Sequence, residues 1–382
     1  MSWENRIAEK KAAVQAGFLR LFQTEPTVLE TAPGRVNLIG EHTDYNQGLV
    51  LPMSIPHRVY VGLSIAQDDT VAAYSDLACR EGEAASYRLL GESRLGTWLD
   101  YVSGLTWALR QKGHTDLHTG LRLYIASDVP PGSGLSSSAA LMVALLRAMA
   151  EAWRIPLPDR EIAEIAWLAE TQHVGVPVGV MDPLACSLCR PGHALLLDTQ
   201  NRNTELLPIP KSFEWIVIHS GVTHHHTTGG YRARRKECET AESLLGVSSL
   251  RELTCADLGQ ADILPQTLLR RVRHVVTENA RVRLAVRALS EGDADTFGLV
   301  LSEAHRSLRD DFEVSVAAVD ELVCLAQADP AILGARMTGG GFGGAVVMLA
   351  RPGQAQQAAE RLMQQYRAST GLTPQQVMPL PN

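Results

Sequence analysis

Apolar residues recur at helical spacing between residues 4 and 23, at Ala8, Ala12, Val14, Phe18, Leu21 and Phe22. Between 48 and 74 the pattern changes to alternation, most clearly over His57 to Ser64 and Thr70 to Tyr74, and this predicts strands. Residues 96–112 return to helical spacing. A strand-like run, Leu121 to Ile125, then leads through a glycine-rich segment into a helix-like run, Leu141 to Trp153, which Pro156 and Pro158 end. The pattern predicts a further helix over Asp159 to His173 and a strand over His193 to Asp198. Residues 199–212 are polar and broken by Pro208 and Pro210, so the domain boundary is placed there, at 205/206. Beyond it, Trp215 to His219 predict a strand, and 230–245 and 262–290 predict charged helices. Residues 291–327 read as helix in pieces, Ala345 to Leu349 as a buried strand and 353–369 as a helix. Strands and helices gather in runs rather than alternating. That favours an α+β fold in two domains, 1–205 and 206–382, over a Rossmann-type alternation.

Three glycine-rich segments interrupt this pattern, and each has a chemical reading. Residues 130–140, Pro-Pro-Gly-Ser-Gly-Leu-Ser-Ser-Ser-Ala-Ala, join a strand to a helix start. Small residues let backbone N–H groups approach an anion, and a helix N-terminus adds unpaired donors and a positive dipole end. Ser136, Ser137 and Ser138 add hydroxyls, one of which can ligate Mg²⁺. The segment is neither a Walker A loop nor a dinucleotide fingerprint, since Gly-Lys-Ser/Thr and G-x-G-x-x-G are both absent. As a bare Gly/Ser turn it would only cap a helix.

Residues 32–52 bring together Arg35, Glu41, His42, Asp44 and Asn46. Carboxylates accept pairs of hydrogen bonds from vicinal hydroxyls, so the cluster reads as a polyol or sugar reader or, failing that, as a solvated charged loop. Asp182 stands in the apolar stretch Val174 to Met181, where burial would raise its pKa unless a cation such as Arg35 is close. It also reads as a helix N-cap. The third segment, Arg336 to Gly344, has five glycines in its last seven positions, which suit either a close backbone approach to a ligand or a tight turn.

Together the three segments resemble the signature motifs of the GHMP kinase superfamily. Gly34 to Asn46 resembles the galactokinase signature over nearly its full length. Further matches to that family are Tyr231, Arg234, Arg235, Glu237 and Cys238, then Arg273, His274, Thr277, Glu278 and Asn279, and Arg309 to Glu313. The resemblance implies a two-domain fold with the active site in the cleft between domains, and transfer of the ATP γ-phosphoryl to the C1 hydroxyl of galactose. It implies Asp182 as the catalytic carboxylate and Arg35 as its partner. Glu41, His42, Thr43, Asp44, Gly179 and Tyr231 would bind the sugar. Gly132, Ser133, Gly134, Leu135, Ser136, Ser137 and Ser138 would hold the ATP phosphates, with Ser138 and Glu170 on Mg²⁺. Ser75, Trp98 and Tyr101 would meet the nucleoside. The chain departs from the family at Pro183, where Gln is usual, and at His224, His225 and His226, which read as an exposed loop. Two alternatives are a kinase for a related sugar such as N-acetylgalactosamine and a non-catalytic galactose sensor. The intact Glu41 to Asn46 run argues against the first, and the complete Ser136 to Ala140 loop against the second.

Length, composition and charge narrow the class. The 382 residues are 45% hydrophobic and 20% charged, with a net charge of −7. This is the balance of a globular protein with a full core and without a nucleic-acid-binding surface. Six cysteines spread along the chain are no disulfide framework, and Cys186 and Cys189 lack the second ligand pair of a zinc site. They read as a pair on one helical turn. The first residues lack an apolar signal core and no run is long enough to span a membrane. The expectation is a cytoplasmic monomer that binds small molecules, and neither nucleic acid nor membrane.

Overall fold

The computed structural model describes residues 3–80, 82–222 and 227–380, so the His224–His226 run lies outside the described residues. Helix α1 (Trp3–Phe22) is followed by an eight-stranded sheet. Its strands are β1 (Val28–Asn37), β2 (Leu49–Val50), β3 (Pro52–Ile65), β4 (Thr70–Ser75), β5 (Ala85–Arg88), β6 (Leu121–Ser127), β7 (His193–Asp198) and β8 (Thr204–Pro208). The path runs β2-β7-β3-β6-β4-β5, with β1 also on β3 and β8 on β7, and only β4 and β6 pair in parallel. Helices α2 (Leu99–Gln111), α3 (Ser137–Ala152), α4 (Asp159–Leu168) and α5 (Met181–Leu188) belong to this half. Helix α3 packs on β1 and β3 through an almost wholly buried run of Ala, Leu, Met and Val.

A second sheet, ordered β10-β11-β9-β12 and fully antiparallel, is built from β9 (Glu214–His219), β10 (Ile332–Thr338), β11 (Ala345–Ala350) and β12 (Gln375–Met378). Around it lie α6 (Thr227–Leu245), α7 (Gln266–Glu291), α8 (Ala294–Asp310), α9 (Ala317–Ala328) and α10 (Ala355–Thr370). The α+β class follows directly. Among the described residues no helix is long and apolar enough to cross a membrane.

Several expected boundaries shift. The polar stretch 199–212 contains β8, which pairs residue for residue with β7, so the 205/206 division falls inside a strand. The change from one sheet to the other comes between Pro208 and Glu214. Alternating burial on β8 is weak, with only Leu207 fully buried, which explains why the pattern concealed it. The helix expected to His173 leaves regular geometry at Ala169 and finishes as a π turn to Val174. Cys186 sits inside α5 and Cys189 just beyond it, both as free thiols.

The halves share one core. Phe213, Trp215 and Phe297 from the second half join the main cluster of the first. Phe297 is fully buried and meets Phe213 and Trp215 edge-to-face, with ring centroids 5.6 and 5.5 Å away. Such contacts add to the burial of a large ring. Phe297→Ala is therefore expected to destabilise the protein by about 3–5 kcal/mol, read as a lower denaturant midpoint with an unchanged slope. A loss below about 1 kcal/mol would mean that this junction is not a shared core.

Candidate active site

Three segments distant in sequence close on a cleft of about 300 Å³. That volume lies at the lower end of the range, roughly 300–1,000 Å³, of small-molecule sites. Arg35, near the end of β1, organises one wall. Its Nε and Nη2 both donate to Oδ1 of Asp182, at 3.0 and 2.7 Å, and Nη1 donates to the Gly134 carbonyl at 2.5 Å. Its own backbone N–H donates to the Leu135 carbonyl at 3.1 Å. Burial works to lower the Arg35 pKa, but Asp182 and Glu41 outweigh it and the net shift is upward. The guanidinium thus stays charged in a site where its side chain is 5% exposed. Asp182 is the second residue of α5; the cap position is Val180, which sets aside the N-cap reading. Pro183 takes the third position, where a missing N–H costs no helix bond, so the departure fits the fold.

The loop 132–138 ends at the N-terminus of α3, a 16-residue helix whose cap, Ser136, has left-handed backbone (φ 60°). The Ser136 hydroxyl is buried and has no partner among the described residues. A buried, unpaired donor beside helix N–H groups is what an anion-receiving loop requires. Ser133 differs: its hydroxyl donates to the Pro130 carbonyl at 2.6 Å and braces the loop from inside. The third glycine segment joins β10 to β11 and packs on the loop. A Cβ on Gly339 would stand 2.8 Å from the Gly134 carbonyl oxygen, so glycine is needed for this approach.

The opposite wall is the turn after β1. Glu41 is buried, and its Oε1 accepts from the Thr338 hydroxyl at 3.0 Å and the Gly339 N–H at 2.7 Å, with Arg336 at 3.3 Å. His42 has left-handed backbone (φ 61°), and its Nδ1 meets the Tyr45 hydroxyl at 2.9 Å. Burial, followed by His274, pushes its pKa down to about 3, so the ring is neutral. Asp44 lies against Gly179, where a Cβ would come within 1.6 Å of Oδ2, so any larger residue there would displace the Asp44 carboxyl. The Gly179 backbone lies close enough to the Tyr231 hydroxyl to lower its pKa against the larger effect of burial. Thr43 does not line the cleft. Its hydroxyl lies between the carbonyls of Gly40 and Leu49, at 2.8 and 2.7 Å, and ties the turn together.

Two carboxyls in this neighbourhood are desolvated with no cation bound to them among the described residues. Burial, then Asp182 and Glu41, raise the Asp44 pKa to about 7, with smaller lowering from the Tyr45 N–H and Arg35. Burial raises that of Glu170, in the π turn, to about 7, against a hydrogen bond from the Ser138 hydroxyl. The Glu170–Ser138 pair is an all-oxygen donor set suited to a hard cation such as Mg²⁺. Among the described residues no group of three or more His, Cys, Asp or Glu could hold a metal, so such a cation would take its other ligands from phosphate and water.

Of the expected site residues, Arg35, Glu41, His42, Asp44, Gly132, Gly134, Leu135, Ser136, Ser137, Ser138, Gly179, Asp182 and Tyr231 line the cleft. Thr43 and Ser133 stand behind it, and Glu170, Ser75, Trp98 and Tyr101 lie outside the lining. Ser75 ends β4, with its N–H towards the Cys79 sulfur. The pattern missed Arg336 and Thr338, which alternate on β10 just before the glycines and so point the same way. It also missed the apolar wall Val176 to Val178 and Met181, whose composition resembles core.

Comparison with known proteins matches the same segments. Residues 16–65 match the galactokinase galactose-binding signature, 100–190 the N-terminal domain of GHMP kinases and 285–368 the GHMP kinase C-terminal region. The chain is 43% identical over 340 residues to a galactokinase of Streptomyces coelicolor, covering 87% of each chain. It is 40% identical over 369 residues to one of Chloroflexus aggregans, covering 95% of this chain and 94% of the other. The crystal structure of Lactococcus lactis galactokinase complexed with galactose superposes with a TM-score of 0.90 at 29% identity, over 96% of both chains. A mevalonate kinase at 15% identity and a TM-score of 0.66 shares the fold.

The raised carboxyl at Asp44 has a measurable consequence. Its folded pKa, about 7, exceeds the ordinary 3.8, so between these values the folded protein binds more protons than the unfolded chain. Its contribution to stability is therefore present at low pH and lost as pH rises through about 7. Asp44→Asn is expected to raise the melting temperature at pH 8 by roughly 2 °C or more, and the gain should fade towards pH 4. A gain that is equal at both pH values, or absent at pH 8, would contradict a desolvated Asp44 carboxylate.

Proposed function

The chain belongs to the galactokinase family of the GHMP kinases, and we propose that its cleft holds galactose and ATP at two poles joined by Arg35 and Asp182. The activity is ATP-dependent phosphorylation of the sugar, giving galactose 1-phosphate and ADP. The turn Glu41 to Asp44 with Gly179 and Tyr231 makes the sugar pole. Asp44 and Glu41 each present a carboxylate edge that can accept from hydroxyls. The loop Gly132 to Ser138 makes the phosphate pole, with its N–H groups and the Ser136 hydroxyl as donors. The nucleoside would extend towards Ser75, Trp98 and Tyr101, a direction supported by Tyr101 standing near enough to Glu170 to feel its charge. Mg²⁺, held by Glu170 and Ser138, would supply neutralisation of phosphate charge.

The observation that carries this reading is the geometry at Asp182. Both donors that Arg35 offers it go to Oδ1, so Oδ2 is left to the cleft. There it accepts the proton of the C1 hydroxyl as that oxygen bonds to the γ-phosphorus and the bond from that phosphorus to ADP breaks. Arg35 keeps the carboxylate oriented and holds the Gly134 carbonyl turned away from the phosphates. The direct test is galactose-dependent ADP release with detection of a sugar 1-phosphate by phosphorus NMR. Equal turnover on glucose, the C4 epimer, would remove the galactose assignment.

Asp182→Asn keeps the shape and removes the proton acceptor. Turnover should fall by roughly 100-fold or more, while galactose binding stays close to wild type. Near-normal turnover would exclude Asp182 as the base. For the metal, Glu170→Gln removes a charged oxygen, and the Mg²⁺ concentration giving half-maximal rate should rise about fivefold or more. An unchanged Mg²⁺ titration would make Glu170 a structural residue of the π turn.

A further inference from the structure

The turn that carries Glu41, His42 and Asp44 lies in the first half of the chain, yet its backbone is held from the second. Three of the groups that hold it stand on α7, at positions one turn apart or adjacent. Nε2 of His274 is 3.1 Å from the Glu41 carbonyl oxygen. A carbonyl only accepts, so Nε2 carries the proton. Burial pushes the imidazole pKa down to about 4, which leaves Nδ1 bare to accept from the Ser307 hydroxyl at 2.9 Å. That hydroxyl has one proton to give, so Asp311, 3.1 Å away on its other side, is left to Arg273 at 3.3 Å.

Glu278 is fully buried. Its Oε1 accepts the N–H of Gly40 at 3.0 Å and stands 3.4 Å from that of Glu41, while Oε2 accepts from Arg281 at 2.7 Å. Burial works to raise its pKa, but Arg281, His274 and Arg336 hold it down at about 2, so the carboxylate is charged. Asn279 Oδ1 accepts the Leu49 N–H at 2.8 Å, at the far end of the turn. None of the three side chains lines the cleft.

We propose that α7 is the positioning element of sugar recognition: His274, Glu278 and Asn279 fix the backbone of residues 40–49 and thereby place Glu41, His42 and Asp44. The inference rests on the sugar pole described above. These three are positioning residues, since they touch backbone and not ligand. The left-handed backbone at His42 makes such support necessary, because a strained conformation persists only where its surroundings over-determine it.

The test is calorimetric titration of the full-length chain with galactose alone, and separately with ADP and Mg²⁺. His274→Gln puts an amide N–H close to the position of Nε2, whereas His274→Asn puts it close to Nδ1. The Gln variant should keep galactose affinity within about threefold, while His274→Asn and Glu278→Gln should weaken it about tenfold or more. ADP affinity should hold in all three, and in turnover assays KM for galactose should move rather than kcat. Unchanged galactose affinity in His274→Asn and Glu278→Gln would overturn the inference, as would parallel losses for galactose and ADP. Should Glu278→Gln fail to fold, the contrast between Gln and Asn at 274 decides. Failure of the wild-type chain to bind galactose would instead overturn the sugar pole itself.

Discussion

A single buried guanidinium sets the geometry of the whole cleft. Arg35 gives two N–H groups to Asp182, one to the Gly134 carbonyl, and its backbone N–H to Leu135. Strand β1, helix α5 and the phosphate loop are thereby fixed to one another at one residue. Removing Asp182 would leave the buried guanidinium without its charged partner, which is destabilising. The same contact places the Asp182 carboxylate and the loop in register, so on the proposed mechanism stability and chemistry depend on one interaction.

The charges around this centre divide into two kinds. Glu278 is buried with both oxygens engaged, by Arg281 and backbone N–H groups, and belongs to the scaffold. Glu41 is held through Oε1 alone, by Thr338, Gly339 and Arg336, and lines the cleft. Asp44 and Glu170 are desolvated with no cation bound to them, and both are shifted upward to about 7. Holding them charged in this state is unfavourable, and such desolvated carboxyls are a mark of binding sites. Asp44 lines the cleft, Glu170 stands outside its lining beside Ser138, and the Asp182 charge acts on both.

The glycine segments and the Glu41–Asp44 run were legible because their chemistry is local: backbone donors, hydroxyls and carboxylates crowded into short stretches. For Asp182 the rule that a charge in an apolar stretch needs a partner asked for a cation, and the family resemblance named Arg35, 147 positions away. What stayed hidden was relational. Thr43 resembles its neighbours in composition, yet its hydroxyl turns inward to two carbonyls. Arg336 and Thr338 act only because β10 brings them under Glu41. His274 and Glu278 belong to a stretch that resembles the family, but no spacing rule says which backbone they reach. Strand β8 was concealed by Pro208 at its end, Pro210 just beyond it and one-sided burial at a sheet edge.

The central claim, that Arg35 acts through Asp182, is tested most directly by a double-mutant cycle on turnover with Arg35→Met, Asp182→Asn and the pair combined. If the two act as one unit, the double variant should turn over about as slowly as the slower single variant, leaving a large coupling energy. Losses that multiply independently in the double variant would contradict the account.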